Sequence, residues 1–255
     1  MVESFRCDFV TGVKKAADLG LQGIQKYATS GEINWTPSQI KETLDIVKSH
    51  GLVFSALCGD FGHGFSNKSR NAELVEKSKR VVDLAKKLEC NVITTHIGVV
   101  PEKEDKTKEI MRAACRELAV YADSMEAAFA VETGPEKAKV LADFLDSLGA
   151  MGVRVNFDPA NLVMCVADNP VTAVDELKKY IVHTHAKDGV MLENGGYLEL
   201  PLGQGGVNFD TYLPALAKTG FDGFLTIERE VGETPEADIA MAADFLRERI
   251  AALGL

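Results

Sequence analysis

The chain alternates short apolar runs with longer amphipathic segments from one end to the other. Each run is β-branched or aromatic and too short for a buried helix, so it reads as a strand of a covered sheet. Strands are expected at Met1–Ser4, Gly23–Tyr27, Leu52–Cys58, Asn91–His96, Ala128–Glu132, Gly152–Asp158, Tyr180–His185 and Gly223–Glu228. Between them, apolar positions recur with helical period over Asp8–Gly20, Asn34–Ser49, Ser69–Leu88, Glu104–Met125, Pro135–Leu148, Pro170–Lys178, Phe209–Thr219 and Pro235–Ala252. Several of these open with start signals such as Thr36-Pro37 and close on Gly20, Gly51 or Gly149. Between the last two strands lies a longer connection, Ala186–Val207, expected as loop.

Strand–helix alternation predicts a parallel sheet flanked by helices, and eight such units predict a single (β/α)8 barrel over residues 1–255. A barrel of this kind takes roughly 250 residues. Met1–Ser4 leaves little room for a strand, so the first strand is expected to be short or truncated.

Strand faces bring in the chemistry. In Gly152–Asp158, Val153, Val155 and Phe157 share one parity and must pack on helices, which turns Arg154, Asn156 and Asp158 inward. The same parity turns Glu132, His96, Thr226 and Glu228 inward. His183 and His185 lie on one face of their strand, and His185 is nearer its end. Glu132, Asp158, His185 and Glu228 therefore meet at the carboxyl end of the barrel, where the active sites of this architecture lie. Taken singly, Glu132 can cap the helix at Pro135 and Asp158 the turn at Pro159. Four such groups on four consecutive strand ends are better explained by a cation, since three carboxylates beside an imidazole repel one another without one. His185 is the expected ligand, and His183, one layer deeper, a packing partner. One imidazole among three carboxylates favours Mn²⁺, Mg²⁺ or Co²⁺, with Zn²⁺ also compatible.

Composition narrows the alternatives. The net charge of −10 repels nucleic-acid backbones. No apolar run is long enough to span a bilayer, and the five scattered cysteines form no CxxC pair. A cytoplasmic protein with buried, reduced thiols is expected, its N-terminal residues lacking a signal-peptide pattern. Pairing through the outer helices into a homo-oligomer is compatible with the barrel.

The chain resembles the xylose isomerase-like superfamily of sugar isomerases and epimerases. The residues that carry the resemblance are Val131-Glu132-Thr133-Gly134, Asn156-Phe157-Asp158-Pro159-Ala160-Asn161-Leu162 and His183-Thr184-His185-Ala186-Lys187-Asp188. Leu202-Gly203-Gln204-Gly205-Gly206-Val207-Asn208-Phe209, Gly220-Phe221-Asp222-Gly223 and Thr226-Ile227-Glu228 continue it. The resemblance implies one divalent cation held by Glu132, Asp158, His185 and Glu228, with the two glutamates flanking the reacting carbon of a sugar or sugar phosphate. Asn161 stands where ketose epimerases of the superfamily carry a histidine, and no arginine follows His185 before Val207. The implied reaction is proton transfer alpha to a carbonyl through a metal-held enediolate, with Glu132 and Glu228 as the acid/base pair.

Around that centre, His96, His63, Asn161 and Lys187 are candidate substrate contacts, and Trp35 a candidate wall for the apolar face of a sugar. Gly203–Gly206 reads as a turn feeding the helix at Phe209. The same ligand set also suits a polyol or inosose dehydratase or a hydroxypyruvate isomerase. An abasic-site endonuclease would need a histidine-rich three-zinc cluster that five histidines do not supply. A sugar-binding barrel without activity would leave the crowded carboxylates without a use.

Overall fold

The computed structural model describes residues 1–255. Its main sheet comprises β1 (Gly23–Tyr27), β2 (Val53–Cys58), β3 (Val92–Thr95), β4 (Ala128–Glu132), β5 (Val153–Phe157), β6 (Ile181–Ala186) and β9 (Leu225–Ile227). These seven strands run parallel in chain order and curl into a nearly closed barrel. β7 (Asp188–Met191) and β8 (Tyr197–Leu200) form a separate antiparallel hairpin. The helices are α1 (Phe9–Asp18), α2 (Pro37–Ser49), α3 (Lys68–Lys87), α4 (Lys106–Ser124), α5 (Ala138–Asp146), α6 (Pro159–Val166), α7 (Pro170–Leu177), α8 (Phe209–Ala217) and α9 (Pro235–Leu253).

Three segments differ from the sequence expectation. Val2–Phe5 is a 3₁₀ helix rather than a first strand. It bridges the seam of the barrel: the Met1 amino group donates to the Ile227 carbonyl (2.7 Å), Tyr27 N–H to Glu3 Oε1 (3.0 Å) and Arg229 N–H to Ser4 Oγ (3.1 Å). These bonds satisfy edge groups of β1 and of the segment after β9 that a strand would otherwise pair. The connection after β6 contains the β7–β8 hairpin, and α6 starts directly on β5, where Asp158-Pro159 supplies an N-cap and a proline at the first helical position.

Local chemistry fixes the other helix starts. Thr36 and Gln39 form a reciprocal capping box on α2, and Asp8, Asn67 and Asp105 accept backbone N–H groups at the starts of α1, α3 and α4. The core lies between barrel and helices, where Val153, Val155 and Phe157 are buried alongside Phe129, Val131 and Leu145. Inside the barrel the chain is polar. Gln25 donates to Thr94 Oγ1 (2.6 Å), and His183 is held between Asn156 Oδ1 and Thr226 Oγ1, both at 2.8 Å. Cys58, Cys90 and Cys115 are buried, whereas Cys7 and Cys165 are exposed, Cys165 on α6; all five are free thiols. No helix is long and apolar enough to cross a membrane.

Candidate metal centre

Four strand ends deliver Glu132, Asp158, His185 and Glu228 to one point, all four buried, with one ligand atom from each within 4.8 Å of the others. His185 Nδ1 lies 3.4 Å from Glu132 Oε2, 3.7 Å from Asp158 Oδ2 and 3.2 Å from Glu228 Oε2. Bonds to a divalent cation run about 2.0–2.6 Å, so ligand atoms around one ion stand up to roughly 5 Å apart. The spacing fits.

The two oxygens of Asp158 stand in different surroundings. Oδ1 accepts the N–H groups of Ala160 (2.8 Å) and Asn161 (3.0 Å) at the start of α6. Oδ2 is buried and has no hydrogen-bond partner. An orphaned buried carboxylate oxygen facing an imidazole and two further carboxylates is the donor set a cation completes. Glu132 is not a cap at all. Asn156 Nδ2 donates to its Oε2 (3.1 Å) and Asn161 Nδ2 to its Oε1 (2.8 Å), while α5 begins later, at Ala138, whose N–H donates to Asp168. Gly134 makes the approach of Asn161 possible: its φ is +143°, and a Cβ there would lie 2.5 Å from Asn161 Cβ.

Outer contacts fix these side chains. His185 Nε2 lies 2.9 Å from Gln25 Oε1, which Thr94 turns toward the ring, leaving Nδ1 to face the carboxylates. Lys187 is buried, with Nζ 3.1 Å from Glu228 Oε2, 3.9 Å from Glu199 Oε2 and hydrogen-bonded to Glu230. Burial alone would raise the Glu228 carboxyl, but His185 and Lys187 hold it well below the usual range. Burial raises Asp158. Burial works against charge on His185 as well, yet Glu228 and Glu132 push its pKa well above the usual imidazole value. The site thus draws positive charge into itself, and a divalent ion supplies more of it than a proton can. His183, one layer down, is lowered by burial and stays neutral between Asn156 and Thr226.

A cavity of about 280 Å³ opens above the four groups, lined also by Tyr27, Asp60, His96, Asn161, Lys187 and Tyr197. His96 Nδ1 bonds Asp60 Oδ2 (2.7 Å), its Nε2 lies 3.7 Å from Glu132 Oε1, and the Asp60 bond raises its pKa to about 9. His63 sits on an exposed loop beside Arg70 Nη1 (3.3 Å) and does not line the cavity. Trp35 is half-buried under Lys26, whose Nζ is 5.7 Å from the ring, also away from the lining. The Gly203–Gly206 turn wraps the Asp188 carboxylate, which accepts N–H groups from Gly189, Gly203, Gly205 and Val207 at 2.9–3.1 Å. Gln25, Asp60, Glu199 and Glu230 were not among the sequence candidates. Inward parity beside Thr94 is the signal that would have found Gln25.

The family described as "Xylose isomerase-like TIM barrel" matches residues 13–249. A xylose isomerase domain protein from Planctomyces limnophilus superposes with a TM-score of 0.86 at 25% identity, over 95% of this chain and 92% of that one. A xylose isomerase-like TIM barrel protein from Mycobacterium smegmatis, solved in complex with magnesium, gives 0.76 at 17% identity, over 96% and 89%. The L-ribulose-5-phosphate 3-epimerase UlaE of Salmonella paratyphi C is 35% identical over 78 residues, 30% of this chain and 26% of that protein. By the family match and the barrel that carries it, the chain belongs to the xylose isomerase-like TIM-barrel family.

Proposed function

We propose that the protein is a divalent-metal-dependent isomerase or epimerase of a small sugar or sugar derivative. The single observation that carries the reading is the convergence of three carboxylates and His185 around the orphaned Asp158 Oδ2. Glu132, Asp158, His185 and Glu228 would hold Mn²⁺, Mg²⁺ or Co²⁺, as an oxygen-rich set with one imidazole favours. A bound ion would supply Lewis-acid polarisation of a substrate carbonyl, and so would acidify the neighbouring C–H.

The chain's own groups move the proton. Glu132 and Glu228 come from strands on different sides of the site, so one takes a proton from the carbon and the other returns one, an effect typically worth about 10²–10⁴-fold. Asn161 and Asn156 hold the Glu132 carboxylate, and Lys187 holds that of Glu228. His96, fixed by Asp60, stands where it can donate to a substrate oxygen next to Glu132.

That last placement favours a second reading, a polyol or inosose dehydratase. The same glutamate would remove the proton and His96 would protonate the departing hydroxyl, releasing water. Proton NMR of ketoses, their phosphates, hydroxypyruvate and inososes in heavy water tests both readings. Deuterium incorporated with inversion or carbonyl transfer is the expected result, loss of water marks the dehydratase, and no exchange with any member of the panel contradicts both.

A further inference from the structure

The cavity over the metal centre carries a charge pattern that chooses between the substrate classes left open above, and the inference rests on that functional reading. Four of its lining residues are acids: Asp60, Glu132, Glu228 and Glu230. Its cationic side chains are already taken by the chain's own carboxylates. Lys187 is shared by Glu228, Glu230 and Glu199; His96 is bound to Asp60 (2.7 Å); and His185 faces the three ligand carboxylates. No arginine lines the cavity, and the Met1 amino group is spent on the Ile227 carbonyl. A divalent ion cannot reverse this balance, because Glu132, Asp158 and Glu228 bring three negative charges against its two.

A phosphate ester is recognised by unpaired arginine or lysine, or by a bare helix N-terminus. Here the N-terminus of α6, the one nearest the metal centre, is closed by the Asp158 carboxylate, and the glycine turn after β8 is filled by Asp188. What the lining does offer is hydroxyl chemistry. Glu230 and Asp60 accept, the Asn161 amide donates, and the Tyr27 and Tyr197 hydroxyls do either. At about 280 Å³ the cavity lies just below the usual range for drug-sized ligands and suits a monosaccharide-sized compound. We infer that the site takes an uncharged polyhydroxy carbonyl compound and discriminates against its phosphate ester, by placing carboxylates where a phosphate would need cations.

The experiment uses the full chain loaded with Mn²⁺. Ribulose and psicose are compared with ribulose 5-phosphate and psicose 6-phosphate for deuterium exchange, and ribitol with ribitol 5-phosphate for binding by calorimetry. The free ketose should exceed its ester in kcat/KM by about 100-fold or more, and ribitol should bind more tightly than ribitol 5-phosphate. An ester turned over as well as the free sugar overturns the inference. If neither sugar exchanges, the isomerase reading falls while the substrate class is still decided by binding. Tighter binding of ribitol then upholds it, and tighter binding of its phosphate, or of neither, overturns it. Glu230→Gln removes one repelling charge and releases a partner of Lys187, so the preference for ribitol should narrow by about tenfold; an unchanged ratio contradicts the charge argument.

Discussion

The ring Nε2 of His185 lies 2.9 Å from Oε1 of Gln25, on the first strand of the barrel, 160 positions earlier in the chain. That contact decides which imidazole nitrogen faces the carboxylates, since a nitrogen donating its proton to Gln25 leaves Nδ1 free to ligate. Gln25→Leu removes the acceptor and strands a buried N–H. Metal affinity should fall by about 10–100-fold, measured calorimetrically on the chelated protein. An unchanged affinity would mean that Gln25 only fills the barrel.

Asp158 joins an N-cap to a proposed ligand, and substitution can separate the two. Asp158→Asn keeps an oxygen for the Ala160 and Asn161 N–H groups but removes the negative charge proposed to hold the ion. Asp158→Ala removes both. In chelator, the asparagine variant should melt close to the parent and the alanine variant should lose about 1–2 kcal/mol, the usual worth of an N-cap. In excess Mn²⁺ the parent should gain thermal stability and both variants should not.

How far the sequence disclosed the molecule follows from where its signals lie. Strand–helix alternation made the order of the parallel strands readable, and side-chain parity the inward set at Asn156, Thr226 and Thr94. Strands β7 and β8 span only four residues each, and the adjacent Tyr197 and Leu198 are both exposed, so no periodicity betrayed the hairpin. Val2–Phe5 has a strand-like composition, but its polar side chains Glu3 and Ser4 bond across the seam and settle it as 3₁₀ helix. Asp60 could not be connected to His96, because their pairing depends on two loops meeting at the rim. His63 lies further along the connection between β2 and α3 that carries Asp60, where spacing gives no direction.

Glu136 offers a pH test away from the metal. Buried and accepting the Val100 N–H at 3.0 Å, its carboxyl is pushed up by burial to about 7. A carboxyl raised in the folded state favours folding while protonated, so its contribution is intact below the unfolded value near 4.5 and is lost as pH rises toward 7. The loss is on the order of 3 kcal/mol. Glu136→Gln should therefore melt higher than the parent at pH 8 and level with it at pH 4.5. A gain of equal size at both pH values would contradict the assignment.

Glu228→Gln retains shape and a hydrogen-bonding oxygen but withdraws the charge that balances Lys187 and His185. Deuterium exchange into any substrate should fall by at least about 100-fold, with the circular dichroism spectrum unchanged. Exchange at the parent rate would remove Glu228 from the acid/base pair.

The most direct measurement is calorimetric titration of the chelated protein with Mn²⁺ or Mg²⁺, with thermal melts before and after. About one ion should bind per chain, raising a melting temperature that chelator lowers again, and Asp158→Asn should lose both effects. A protein that binds no divalent ion, and whose melting temperature ignores chelation, would contradict it.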